Sequence, residues 1–297
     1  MNLRFVEAFV WVARMESITR AAEKLCLTQS AVSSRITALE EEVGTSLLDR
    51  RDRVFRLTNA GTRFLDYAER FLALQRDVKR EFGVPEALPL SLRIGGIETV
   101  LHTYLVQLMQ HLKARNPYIE FELTVEMTPL LNEQIRRGGL DLAFTAMPAT
   151  GNGVQSEALP AMEMVFVGPA GDLEEHALAV DELLEHDLLT FQRGSQPHVA
   201  LMEALRGAGA SNKHVHAISS ISALVKLVES GFGLATLPRA AAEQLARQHR
   251  IAVLDCALPL APLPIYASYW SYPAAPALET AIGDAIAFAH SQMEPAA

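Results

Sequence analysis

The chain has 297 residues, 49% of them hydrophobic, and a formal net charge of −9. That apolar content can bury more than one core; no apolar run approaches the ~20 residues of a membrane span and no export signal opens the chain, so the expected location is the cytoplasm. Residues 1–58 hold 9 Lys/Arg against 8 Asp/Glu, residues 59–87 hold 5 against 5, and residues 88–297 hold 12 against 22, so the acidity lies in the C-terminal part and does not exclude nucleic-acid contact by the N-terminal part.

In chain order, Phe5, Phe9 and Val12 fall on one face of a first helix, with Ala8 and Ala13 beside them. Ser17 suits the cap of a shorter helix that sets Ala21, Ala22 and Leu25 inward, and Cys26 and Leu27 fill a turn. Thr28 suits the N-cap of a third helix, in which Val32, Ile36, Leu39 and Val43 recur at three- and four-residue spacing and line one face. The outer face carries Gln29, Ser30, Ser33 and Ser34, with Arg35 on its flank. These side chains are short enough to approach base edges or long enough to donate to phosphates. Gly44 suits a helix stop. Beyond it Leu47, Leu48, Val54, Phe55 and Leu57 interleave with Arg50, Arg51, Arg53 and Arg56, the pattern of a two-stranded wing whose arginines meet a phosphate backbone. Three short helices with a basic ribbon present one helix to a major groove. The bland alternative is a trihelical folding unit with a charged hairpin.

From Asn59 to Phe82 the pattern is one long helix, with Phe64, Ala68, Phe71, Leu74, Val78 and Phe82 along a stripe. Phe64, Phe71 and Val78 fall seven apart, the seam a partner helix fills. A dimer of that kind sets two recognition helices on the half-sites of a dyad-symmetric operator. Gly83, Val84, Pro85 and Pro89 then mark a boundary.

From Leu90 onward strand and helix patterns alternate, which predicts a mainly parallel sheet covered by helices. Residues 91–97 read as a strand leading to a helix with Leu101, Leu105, Leu108 and Leu112 inward. Further strands are expected at Ile119–Val125, Leu140–Thr145, Asp187–Phe191, Lys213–Ile218 and Leu234–Leu237. The stretches RRGGLDLAF (136–144) and VESGFGLATLP (228–238) resemble each other where helix turns to strand. Two such lobes joined by crossing strands, expected near Ala146–Val165 and Tyr266–Tyr272, enclose a cleft. Ligands in such folds sit outside the carboxyl ends of strands. The residues expected there are Glu98, Thr99, Thr128, Thr145, Arg193, Ser195, Ser219 and Ser220. Several open helices, whose free amides and dipoles favour a small anion, and Arg193 suits a carboxylate. Glu98 opposes an anionic guest unless it pairs with Arg193 or accepts from a ligand amine.

With these motifs in place, the full length resembles the LysR-type transcriptional regulators. The likeness rests on ITRAAEKLCLTQSAVSSRITALEEEVGTSLLDR, the RLTNAG turn, RRGGLDLAF and SGFGLATLP. The resemblance implies an α/β chain with an N-terminal all-α winged helix-turn-helix, a long linker helix, and a two-lobed α/β effector domain like the type 2 periplasmic binding proteins. The units expected are 1–58, 59–87 and 88–297, the last with lobe I at about 88–161 and 268–297 and lobe II at about 162–267. Carried over, Thr28, Gln29, Ser30, Ser33, Ser34 and Arg35 read bases or phosphates, and Arg50, Arg51 and Arg53 are wing contacts. Family members often have Pro at position 30 and Arg at 34, where this chain has Ser30 and Ser34 with Arg35 following. The implied partners are double-stranded DNA, a small polar metabolite, a second copy through the linker helix, and a homotetramer; no cofactor is implied.

Two rivals share parts of this pattern. A solute-binding protein has the lobes but requires export and needs no helix-turn-helix. An enzyme needs a motif such as G-x-S-x-G, H-E-x-x-H or a Cys/His ligand cluster, and none is present. His214 and His216 lie on one strand face and read as surface rather than as a metal pair. GFGLAT (231–236) follows a helix and enters a strand, the reverse of a phosphate loop. Cys26 and Cys256 read as two buried thiols in a reducing compartment.

Overall fold

The computed structural model describes residues 1–49, 55–81, 90–151, 153–171, 176–210, 214–271 and 276–293. Helices α1 (Leu3–Met15), α2 (Ile18–Lys24) and α3 (Gln29–Val43) each open on a side-chain cap, with Asn2, Ser17 and Thr28 accepting from the amides of Arg4, Arg20 and Ala31. A cap of this kind stabilises a helix by about 1 kcal/mol. Val32, Ile36 and Leu39 are buried against α1, as their spacing requires. Strands β1 (Leu48–Asp49) and β2 (Arg56–Leu57) pair antiparallel, and Glu40 of α3 accepts from the Leu47 and Leu48 amides at 2.8 and 3.0 Å. The wing therefore starts from a fixed point on the recognition helix. Arg50, Arg51, Arg53 and Val54 lie outside the described residues.

Helix α4 (Asn59–Glu81) has 23 residues and is about 35 Å long. Its stripe does not form one continuous seam. Phe64 meets Phe9 edge-on at 5.4 Å and Ala68 is buried, so the first half closes on α1. Further along, Phe71, Leu74 and Val78 are 42%, 59% and 46% exposed.

The remaining elements in chain order begin with β3 (Ser91–Gly96), α5 (Glu98–Val100), a π-helical turn (Leu101–Leu105), α6 (Val106–Arg115), β4 (Glu120–Val125), α7 (Thr128–Arg136) and β5 (Leu142–Thr145). They continue through β6 (Val154–Met162), β7 (Met164–Pro169), α8 (Val180–Leu183), β8 (Leu188–Phe191), α9 (Gln196–Gly207), β9 (Val215–Ile218) and α10 (Ile221–Glu229). The chain then forms β10 (Leu234–Pro238), α11 (Arg239–Ala246), β11 (Ile251–Leu254), β12 (Leu263–Trp270) and α12 (Pro276–Met293).

These strands make two five-stranded sheets, ordered β4-β3-β5-β12-β6 and β11-β7-β10-β8-β9. In each, four strands share one direction and one runs against them, β12 in the first sheet and β7 in the second. The first crossing falls between β6 and β7, within the expected stretch. The return lies upstream of Tyr266–Tyr272, between β11 and β12, because Leu263 and Ile265 already pair with Met162 and Leu159 of β6. The two similar sequence motifs occupy equivalent places, α7 into β5 and α10 into β10. Each helix ends at a glycine in the left-handed region, Gly138 (φ 66°) and Gly231 (φ 75°), where a Cβ would be strained.

Cys26 is exposed and Cys256 half-buried, contrary to the expectation of two buried thiols. Cys26 sits in the turn before the recognition helix at φ 53°, a left-handed conformation that interrupts the helical path.

Candidate functional site

The outer face of α3 is open. Thr28, Gln29, Ser30 and Ser34 are exposed, while Ser33 and Arg35 are half-buried. The Thr28 hydroxyl is shared between its capping bond to the Ala31 amide (3.2 Å) and Ser30 Oγ (3.0 Å), so Thr28 holds the first turn in shape more than it offers itself to a base. The wing arginines 50, 51 and 53 lie outside the described residues.

A cavity of about 390 Å³ opens between the two sheets, within the range of small-molecule sites. Of the residues expected there, Glu98, Thr99, Thr128, Ser195 and Ser219 line it. Thr99 is buried with its hydroxyl unpartnered among the described residues. Thr128 Oγ1 accepts from the Ala146 amide at 3.1 Å, which fastens the start of α7 to the end of β5. Ser195 caps α9, accepting from the His198 amide. Three expectations depart from the structure. Thr145 is fully buried and donates to the Met147 carbonyl at 2.8 Å, shaping the strand end without lining the cavity. Arg193 is exposed and outside the wall, and Ser220 is the N-cap residue of α10, also outside it.

Glu98 does not pair with Arg193. Its Oε1 accepts from the backbone amide of Ile221, the first residue of α10 in the opposite lobe, at 2.9 Å. That carboxylate thus spans the cleft and sits at a positive helix end. His102 Nε2 lies 3.8 Å from the same oxygen, but burial holds its pKa below the usual imidazole value, against the pull of Glu98.

Met127 and Met147, at strand ends where the sequence places a ligand, line the cavity. Sequence reasoning missed the apolar residues beside them, Val125, Pro129, Phe191 and Pro197, because such residues are indistinguishable from core in a linear pattern.

It also missed a contact between the three-helix unit and the first sheet. Helix α1 is apolar around most of its circumference, with Val10, Trp11 and Met15 buried as well as Phe9 and Val12. A helix of that composition requires cover on a second side. Trp11 meets Trp270 of β12 edge-on at 5.9 Å, and Trp270 Nε1 donates to the Ile135 carbonyl of α7 at 2.9 Å. Beside them Lys24 Nζ donates to Asp141 Oδ1 at 2.9 Å, 5.1 Å from the Trp11 ring centre. Asp141 also takes the Arg93 guanidinium in a fork and the Arg93 amide. Burial pushes the Asp141 carboxyl up, yet the Arg93 and Lys24 bonds and charges outweigh it and hold the pKa below the usual carboxylate range. Burial lowers Lys24, with only part restored by Asp141.

His216 faces Asp187 at 3.6 Å and Phe232 edge-on, and no group of three metal-capable side chains occurs among the described residues. No helix among the described residues is long and apolar enough to cross a membrane.

Two family profiles match the chain: the bacterial regulatory helix-turn-helix protein, lysR family, over residues 3–62, and the LysR substrate binding domain over residues 87–293. Among similar proteins, the HTH-type transcriptional regulator YofA of Bacillus subtilis (strain 168) is 28% identical over 254 residues, 86% of each chain. A full-length OxyR variant from Pseudomonas aeruginosa shares the fold at TM-score 0.59 and 21% identity, covering 96% of this chain and 97% of its own. Full-length CbnR complexed with its target DNA does so at TM-score 0.54 and 20% identity, covering 97% and 100%. Such relatives are regulators, which sets the enzyme reading aside. The chain belongs to the LysR family of transcriptional regulators, with a DNA-binding helix-turn-helix at its N-terminus and an effector-sensing two-lobed domain after it.

Proposed function

We propose that this regulator binds a dyad-symmetric promoter site as a homodimer paired through α4, within a homotetramer, and alters that binding when a small molecule fills the cleft. In this reading residues 1–58 hold the DNA, with Gln29, Ser30, Ser33, Ser34 and Arg35 on bases or phosphates and Thr28 shaping the helix start. Within that same unit Arg50, Arg51 and Arg53 are wing contacts, while residues 59–87 join the copies and residues 88–297 sense the effector. The exposed Phe71, Leu74 and Val78 support pairing along the second half of α4, since apolar side chains at this spacing fill a partner's seam.

One observation carries the coupling. Helix α7 begins in the cavity wall at Thr128 and Pro129 and ends where Trp270 bonds Ile135 and Met15 packs against Gly138. A ligand that binds one lobe arrangement better than the other shifts the equilibrium by that difference in affinity, and a displaced α7 moves the seat of α1. Footprinting of the intergenic region beside the gene tests the DNA half. Two half-sites about one or more helical turns apart are expected, lost in a Gln29→Ala, Ser33→Ala double variant. Undiminished protection by that variant refutes the recognition helix.

A further inference from the structure

We infer that the ligand of this cleft carries a protonated amine, held by Glu98, on an apolar body. The inference rests on reading the cleft as the effector site and assigns the chemistry of its guest.

Charge in the wall comes first. Glu98 and Glu126 are its charged residues, and no Lys, Arg or His lines it among the described residues. A third carboxylate brought against that wall is repelled by the two already there, whereas an ammonium is attracted. His102 does not restore balance, because its burial favours the neutral ring.

The helix ends, which ordinarily invite an anion, are in part already served. The Ile221 amide at the start of α10 is bonded to Glu98 Oε1 at 2.9 Å, so the protein supplies its own anion there. A carboxylate has about four lone-pair sites, and Glu98 Oε2 has no hydrogen bond among the described residues. The second observation is Thr99. It lines the cavity, is 3% exposed, and its Oγ1 lacks a partner. A buried hydroxyl left unpaired is costly, and as an acceptor it suits an N–H of a guest in this cavity. Val125, Met127, Met147 and Phe191 give the rest of the guest an apolar surface, with Gln192, Ser195 and Gln196 as the polar, uncharged part of the wall.

Benzylamine, benzyl alcohol and benzoate test this on the full-length protein by calorimetry, because they share a ring and differ in charge. Benzylamine is expected to bind wild type most tightly and benzoate least. In Glu98→Gln, which keeps an acceptor for the Ile221 amide, the amine-to-acid affinity ratio should fall at least about tenfold, or about 1.4 kcal/mol. Failure of benzylamine to bind wild type, an acid bound as well as the amine, or an unchanged ratio in Glu98→Gln each overturns the inference. A Ser219→Trp variant separates this from the reading of the cleft, since the added indole fills the cavity from its exposed rim. Probe binding that survives in Ser219→Trp places the guest elsewhere and overturns both. Loss there, together with an amine preference that depends on Glu98, supports both.

Discussion

Asp141 and Lys24 make unequal contributions to the contact between the DNA-binding unit and the first sheet, and the inequality is testable. Two cations share one carboxylate, whose side chain is 6% exposed beside a Lys24 side chain at 10% and an Arg93 side chain at 25%. Asp141→Asn leaves the buried Lys24 ammonium without its counter-charge and Arg93 without its fork partner, a change that costs about 3–5 kcal/mol in buried pairs. Lys24→Met keeps the aliphatic stem over Trp11 and leaves Asp141 paired with Arg93. It removes a desolvated ammonium and a cation–π contact, so the expected cost is about 1 kcal/mol or less. The chain has two tryptophans, Trp11 and Trp270, and both lie at this contact. Urea titration followed by their emission therefore reads the docked state directly. The ordering also has a pH signature. A depressed carboxylate contributes stability that is complete above its ordinary value of 3.8 and is lost as pH falls through the lower folded value. Wild type should therefore lose its tryptophan signal in acid, and Asp141→Asn should lack that transition. Equal destabilisation by the two substitutions, or an acid transition surviving in Asp141→Asn, refutes the reasoning.

Tyr104 is 3% exposed with a hydroxyl lacking a partner among the described residues, and burial drives its phenol pKa far up. Tyr104→Phe keeps the ring edge-on to Phe144 at 5.6 Å and should raise the calorimetric Tm, by a stability gain on the order of 1 kcal/mol; a lower Tm shows that the hydroxyl serves a partner. Phe71→Glu with Leu74→Glu should give an assembly smaller than the wild type's in sedimentation and weaken operator binding while leaving unfolding near wild type, because both side chains are exposed. Persistence of the wild-type oligomer rules out pairing along this part of α4.

What the sequence made legible was whatever repeats locally. The caps Ser17 and Thr28, the buried stripe Val32, Ile36 and Leu39, and the glycine ends of α7 and α10 follow from short-range rules, and each stands where its spacing puts it. The cleft residues were only partly legible. Thr99, Thr128, Ser195 and Ser219 were reached because strand ends and helix starts are visible in the pattern. Thr145 was misplaced because a hydroxyl at a strand end can turn to a neighbouring carbonyl instead of to the cleft. Glu98 was recognised as an anomaly but not its partner, since Ile221 is 123 residues away and presents a backbone group.

The contact of α1 with β12 was missed for a different reason, and that reason bears on mechanism. Trp11 and Met15 look like surplus hydrophobes if a helix-turn-helix is assumed to fold alone; they make sense only once a second body is there to cover them. Asp141 is likewise ordinary as the acid after a helix-to-strand turn, and its value lies in receiving Lys24 across 117 residues. Between this contact and the cavity runs α7, nine residues and so about 13 Å. It is fastened at one end by Thr128 to the β5 strand end and at the other by the Ile135 carbonyl to Trp270. A helix bonded at both ends moves as a body more readily than it bends. In the proposed coupling, a guest that favours one position of Thr128 and Pro129 favours one seat for Trp11, so that the DNA-binding unit would register occupancy of a cleft it never touches.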